Sequence, residues 1–350
     1  MKTEIIKIDR NNIDMDKLKY AADVIKQGGL VAFPTETVYG LGANALNEAA
    51  AHNIYKAKGR PSDNPLIVHI CSPGELNPLV ESIPQKAYKL MERFWPGPLT
   101  MIMNKSEAVP RTTTGGLNTV AIRMPSHPVA MALIRESGVP IAAPSANLSG
   151  KPSPTNAEHV IHDLSGRVDV IIDAGSVNIG LESTIVDMTV DPPMLLRPGG
   201  ITPRELEKVL GKISIDPSLS GLNLSDEPPK APGMKYTHYS PDADVIIIEG
   251  DLEKVVDRIN QMASEYRSKG KKVGIMATEQ TKDRYNGFLV ISMGDRNRPE
   301  TIASNLFTDL REFDNNDVNI VLAEAVDATD IGMAIMNRMN KAAGYNIIKV

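Results

Sequence analysis

The chain has 350 residues, 42% hydrophobic and 23% charged, with a formal net charge of −5, one cysteine and 4% aromatic residues. Single cores stop growing at roughly 250–300 residues, so two domains are expected. The composition excludes a disordered chain, a collagen-like repeat and a disulfide-stapled mini-protein; Cys71 alone makes neither an internal disulfide nor a cysteine-rich zinc site, and the acidic balance argues against a non-specific nucleic-acid binder. The first residues, MKTEIIKIDRNNIDMDK, carry acidic side chains and no uninterrupted apolar stretch, unlike a secretory signal. No run of about 18 apolar residues occurs, so a soluble cytoplasmic protein is expected, without a membrane partner.

Leu18, Ala21, Ala22 and Ile25 fall at helical spacing and predict a helix over 16–27, stopped by Gly28 and Gly29. Leu30 to Phe33 reads as a buried strand that runs into a polar loop, Pro34 to Gly40, at the kind of strand end where α/β folds place sites. A helix at 47–58, a strand at 66–70, a helix at 84–94, strands at 99–103 and 119–123 and a helix at 127–136 follow. An apolar strand, Pro140 to Ala143, then leads into Pro144-Ser145-Ala146-Asn147. Strands at 168–172, 183–189 and 194–197 and a helix at 203–210 complete the first part. Residues 212–241 are rich in Pro, Ser and Gly and read as a linker or covering segment. After it come a strand at 244–249, a helix at 251–268, a strand at 272–277, a helix at 279–285, a strand at 288–292, a helix at 299–313, a strand at 317–323, a helix at 331–343 and a strand at 345–349. That alternation predicts a small, mostly parallel α/β unit.

Several segments carry chemistry. Lys56, Lys58 and Arg60 place three cations within five residues at a helix end, which suits either the helix dipole or polyphosphate oxygens. Ser145, Asn147 and Ser149 offer small polar groups at a strand end, either as an ordinary turn or as partners for phosphate and ribose. Arg123 closes an apolar strand and needs a partner, either a structural carboxylate or a ligand carboxylate. Lys235-Tyr236-Thr237-His238-Tyr239 is an aromatic and basic knot that suits a segment packing over something, an adenine or ribose being one such target, better than a plain tether. There is no P-loop, no complete G-x-G-x-x-G, no paired-histidine metal spacing and no G-x-S-x-G.

Eight segments in register, PTETVYGLG (34–42), KGRPSDNPLIVH (58–69), WPGPLT (95–100), TVAIRMPSHP (119–128), APSANLSG (143–150), ESTIVD (182–187), LLRPGG (195–200) and PGMKYTHYSP (232–241), closely resemble the threonylcarbamoyl-AMP synthase family in its long, two-domain form. Its K-x-R…S-x-N signature stands here as Lys58, Arg60, Ser145 and Asn147. The resemblance implies an α/β fold: a YrdC-like catalytic domain (1–211) with a twisted open mixed sheet and a large cavity, a linker (212–241) closing over the active site, and a smaller Rossmann-like domain (242–350). It implies an enzyme joining L-threonine, bicarbonate or CO2 and ATP into threonylcarbamoyl-AMP and pyrophosphate, with Mg²⁺ held mainly by phosphates and water. The product would pass to a separate tRNA threonylcarbamoyl transferase complex, without stable tRNA binding by this chain. Carried over by position, Thr37, His69, Arg123, Ala143 and Ser183 resemble the threonine site. Arg60, Asn64, Thr119, Ser145, Ser153, Arg197 and Tyr239 resemble the nucleotide site, with Lys56, Lys58 and Asn147 beside them and Lys58 and Arg60 as the catalytic pair. The rival readings are an RNA-binding module without ATP turnover and a carbamoyl-adenylate enzyme of hydrogenase maturation, the latter disfavoured by the single cysteine.

Overall fold

The computed structural model describes residues 2–220, 229–232 and 239–350. They fall into two units. One is built from the described residues of 1–149, 153–178 and 182–235, the other from those of 150–152, 179–181 and 236–350. Of the segments singled out above, 233–238, which include Lys235 to His238, lie outside the described residues.

The first unit runs β1 (Glu4–Lys7), α1 (Met15–Lys26), β2 (Val31–Pro34), β3 (Tyr39–Asn44), α2 (Glu48–Lys58), β4 (Ile67–His69), α3 (Gln85–Phe94), β5 (Leu99–Asn104), β6 (Thr119–Arg123), α4 (Pro128–Ser137), β7 (Ile141–Ala142), α5 (Ala157–Leu164), β8 (Val170–Asp173), β9 (Thr184–Asp187), β10 (Met194–Arg197), α6 (Pro203–Leu210) and β11 (Ser214–Ile215). The strands form one mixed sheet in the order β1-β8-β2-β3-β7-β4-β6-β5-β9-β10-β11. Helices α1 and α4 press Leu18, Ala21, Ala22, Ile25, Leu133 and Ile134 onto Val31, Phe33, Val170 and Ile172. Each fully buried Leu or Ile contributes roughly 1.5–3 kcal/mol to holding that layer. Helix α2 ends as the residues dictate: Asn47 caps its start through Ala50 N, and Gly59 takes the left-handed conformation after Lys58.

The second unit comprises β12 (Asp244–Glu249), α7 (Leu252–Ser268), β13 (Val273–Ala277), β14 (Leu289–Ser292), α8 (Pro299–Asn315), β15 (Ile320–Glu324), α9 (Ile331–Ala342) and β16 (Ile347–Lys349). Its five strands are all parallel, in the order β14-β13-β15-β12-β16. The apolar runs of β12, β13 and β15 fit strands covered on both faces.

The structure departs from the sequence reading in several places. Residues 39–44 are a strand, where the sequence suggested only a polar loop up to Gly40. Gly40 and Gly42 interrupt its side-chain pattern, because a Cβ at Gly42 would lie 2.7 Å from Phe33 and from Ile141. Helix α5 and the edge strand β1 were not anticipated; β1 buries only Ile6 and so shows no alternation. The expected helix at 279–285 is a single 3-10 turn, Lys282–Arg284. Thr278 Oγ1 (2.8 Å), Tyr285 OH (2.6 Å) and Thr281 Oγ1 all donate to the wholly buried Glu324, which also pairs with Arg296 at 2.9 Å. Reaching that carboxylate holds the segment out of a regular helix.

Candidate active site

One rung of the first unit's sheet organises the polar centre. Strand β4 pairs with β6 in the register His69–Arg123, and β5 pairs with β6 in the register Thr100–Arg123. Arg123 is buried at the end of β6. Its Nη1 donates to Thr37 Oγ1 at 2.8 Å and its Nε to Gly97 O at 3.3 Å. Its Nη2 lies 2.7 Å from Glu36 Oε1, with both side chains less than one-tenth exposed. Glu36 Oε2 accepts from Ser126 N at 3.1 Å. The partner that Arg123 required is therefore present within the protein, as the structural alternative anticipated.

His69 sits on the same rung, its ring edge-on to Phe33 and its Nδ1 3.1 Å from Ile67 O. Burial, reinforced by the positive charge of Arg123, pushes its pKa down to about 3, so the imidazole is neutral at neutral pH. Thr100, level with Arg123 by register, faces the next strands: its hydroxyl is 2.7 Å from that of Ser183. Arg197, at the end of β10, donates to Ser183 through Nη2 to Oγ (3.2 Å) and Nε to the carbonyl (3.0 Å), and through Nη1 to Pro232 O (3.2 Å). Gly199 permits this closeness, because a Cβ there would fall 2.4 Å from Thr184 N and 2.6 Å from Glu182 O.

A second cluster forms around Lys58. Its Nζ donates to Ser145 O at 2.6 Å, to Asn147 O and to Asn147 Oδ1 at 3.4 Å, and Ser145 Oγ donates to Asn147 Oδ1 at 2.5 Å. The loop holding these residues is tied to β3 by Ala146 N to Tyr39 O (2.8 Å) and by a bridge between Gly40 and Ser145. Ala143, at the head of the same loop, hydrogen-bonds Ile67 O through its amide (2.8 Å).

Residues 23–199 match the family described as Telomere recombination, and residues 201–344 match the one described as Threonylcarbamoyl-AMP synthase, C-terminal domain. Threonylcarbamoyl-AMP synthase of Pyrococcus abyssi is 52% identical over 341 residues, 97% of this chain and 98% of its own length. That of Bacillus subtilis is 53% identical over 334 residues, 95% of this chain and 94% of its own. The structure of Pyrococcus abyssi Sua5 complexed with L-threonine superposes with a TM-score of 0.95 at 52% identity, covering 99% of this chain and all of that one.

The chain belongs to the threonylcarbamoyl-AMP synthase family. The family is one of nucleotidyltransferase-type enzymes, and the two-unit architecture is that of its solved members. Against that frame the positions expected from the motifs divide into groups. Thr37 is bonded to Arg123 and Ser183 to Arg197 and Thr100, and strand register sets His69 and Thr100 level with Arg123. Lys58, Ser145 and Asn147 form the second cluster. Arg60 bends back to donate to Asn64 O (3.3 Å) and Pro65 O (3.1 Å), and the Asn64 side chain is buried beside it. Ser153 Oγ donates to Glu182 Oε1 at 2.5 Å. Thr119 opens β6 opposite Asn104, four residues and so about 13 Å along the strand from Arg123. Lys56 is exposed; two positions before Lys58, it leaves helix α2 about 200° around the axis. Tyr239 packs within the second unit, on Phe307 (ring centroids 5.1 Å apart) and 6.0 Å from the Arg338 guanidinium.

Glu36, Thr100 and Glu182 were missed in the sequence. Arg123 was legible as a charge closing an apolar strand and needing a partner, while Glu36, in the polar loop 34–40, gave no such signal. Thr100 left no signal, because its place follows from strand register. Among the described residues no group of three or more His, Cys, Asp or Glu side chains is placed to hold a metal ion, and no helix is long and apolar enough to cross a membrane.

Proposed function

We propose that this chain makes L-threonylcarbamoyl-AMP from L-threonine, bicarbonate or CO2 and ATP, releasing pyrophosphate. The reading rests on two buried groups, Glu36–Arg123–Thr37 and Thr100–Ser183–Arg197, which place two guanidiniums and several hydroxyls along consecutive strands β6, β5, β9 and β10. It is supported by the Pyrococcus abyssi relative, which was solved with L-threonine and shares this fold at 52% identity. The threonine amine, once deprotonated, adds to CO2 to give a carbamate and a proton. A carbamate oxygen then forms a bond to the α-phosphorus of ATP as the bond to the bridging oxygen of pyrophosphate breaks. No covalent enzyme intermediate is needed, so the protein contributes orientation and charge stabilisation. Arg123 receives the threonine carboxylate, and Thr37, His69, Ala143 and Ser183 complete that pocket. Arg60, Asn64, Thr119, Ser145, Ser153, Arg197 and Tyr239 serve the nucleotide, with Lys56, Lys58 and Asn147 at the phosphates. Mg²⁺ enters with ATP as part of the substrate, on phosphate oxygens and water. The product is handed in the cytoplasm to a tRNA threonylcarbamoyl transferase complex.

The test is pyrophosphate release from ATP with threonine and bicarbonate omitted in turn, alongside Arg60→Ala. Loss of release on each omission and in the variant supports the reading. Full release without threonine, or salt-dependent tRNA binding with no ATP turnover, overturns it.

A further inference from the structure

Glu36 has no role in the reaction as set out above, yet its placement is costly. It is a carboxylate taken out of water, 7% exposed, on the threonine-site loop. A buried ion pair is often no more stable than apolar side chains of the same size. Stability is therefore a weak reason for an acid at this position. Its two oxygens are committed differently. Oε2 takes the Ser126 amide at 3.1 Å, which fixes the carboxylate to the backbone that follows β6. Oε1 stands 2.7 Å from Arg123 Nη2, but neither atom completes a hydrogen bond of good angle with any described residue, although both are fully enclosed. The contact thus supplies charge and aim, and the two atoms face each other without a well-angled hydrogen bond. Thr37 Oγ1 and Gly97 O take the guanidinium from its other edges.

We infer that Glu36 is a positioning residue that sets the plane of the Arg123 guanidinium for a zwitterionic amino acid. On substrate entry Arg123 takes the α-carboxylate and Glu36 takes an N–H of the α-amino group, the substrate's two charges replacing their ill-angled contact with each other. A site balanced this way is close to neutral before the substrate arrives, so it favours a ligand carrying both charges over a simple carboxylate. The inference rests on the threonine-site reading of Arg123 and adds the group that reads the amine.

The test compares wild type, Glu36→Gln, Glu36→Asp and Arg123→Ala as full-length proteins, by calorimetric titration with L-threonine and with 3-hydroxybutyrate, which lacks the amine, and by steady-state kinetics. Glu36→Gln is expected to weaken threonine binding at least ten-fold, to narrow the preference for threonine over 3-hydroxybutyrate, and to leave the KM for ATP within two-fold. Glu36→Asp, which keeps the charge, should recover most of the threonine affinity even if Glu36→Gln folds poorly. Equal losses for threonine and ATP, or an unchanged threonine-to-hydroxybutyrate ratio in both Glu36 variants, overturn the inference. If wild type binds threonine and only Arg123→Ala loses it, the inference alone fails. If wild type binds no threonine, the threonine-site reading itself has failed.

Discussion

Lys58 separates two accounts of a buried cation. In a direct phosphate role, its ammonium is held in reserve in the free enzyme, and removing it relieves a buried charge. In the ligand-free chain its three N–H groups meet Ser145 O at 2.6 Å, Asn147 O, and Asn147 Oδ1 at 3.4 Å, with the residue 2% exposed, so Lys58 clamps this loop before any phosphate arrives. Lys58→Met keeps the length of the side chain and removes the charge. Hydrogen bonds from a charged donor contribute roughly 1.5–3 kcal/mol each, and a buried carbonyl left unpaired costs about 1–3 kcal/mol. Burying the ammonium offsets part of this, so a net loss of about 3 kcal/mol is expected. In a domain of this size that corresponds to a drop in Tm of about 6–12 °C. The chain has one tryptophan. Trp95 is buried in the first unit, donating to Leu99 O at 2.8 Å, so urea unfolding followed by its fluorescence reports that unit alone. A Lys58→Met protein as stable as wild type, or more so, would refute the loop-clamping account.

Glu324→Gln should destabilise the second unit by about 3 kcal/mol, since it unpairs Arg296 and disturbs the donors from Thr278, Thr281 and Tyr285; unchanged hydrogen-exchange protection at 278–285 would contradict this. Asp309 has an enclosed Oδ2 without a hydrogen-bond partner among the described residues, and burial, with the nearby Glu312, pushes its pKa up to about 7 from an ordinary 3.8. Its contribution is favourable below 3.8 and is lost as pH rises through 7, so Asp309→Asn should stabilise by about 2 kcal/mol at pH 8 and much less at pH 5, read by calorimetry. His69 and His127 behave oppositely: burial lowers them to about 3 and about 4, so the unfolded chain binds protons that the folded one refuses. Trp95-monitored stability should therefore fall as pH drops from 6.5 toward 4, by up to about 1.4 kcal/mol per pH unit for each histidine, and His69→Gln should flatten that slope.

Much of the architecture was legible because the sequence obeys its periods. The helices at 15–26, 48–58 and 203–210 and the apolar strands of the second unit announce themselves. What escaped was decided by partners distant in sequence. Strand β3 hides behind glycines required by Phe33 and Ile141, and the 278–285 segment abandons helix for a carboxylate some forty residues away. The site divides in the same way. Lys58, Ser145 and Asn147 meet as their shared motif suggested. Arg123 was readable as a charge needing a partner, while its choice of Glu36, 87 positions earlier, was set by folding. Motif reading also placed Lys56 and Lys58 together, although helical geometry sends them apart.

The rung that carries His69, Arg123 and Thr100 has a bearing on how such a site could be redesigned. Backbone amides and carbonyls hold the three strands together, whichever side chains they bear. A side chain can be exchanged on this fixed mount while its neighbours keep their backbone spacing, so the chemistry this rung presents can change one substitution at a time. A one-residue slip of β6 would turn all of its side chains to the opposite face at once. The side chains on this rung are thus open to gradual change, whereas strand register is not.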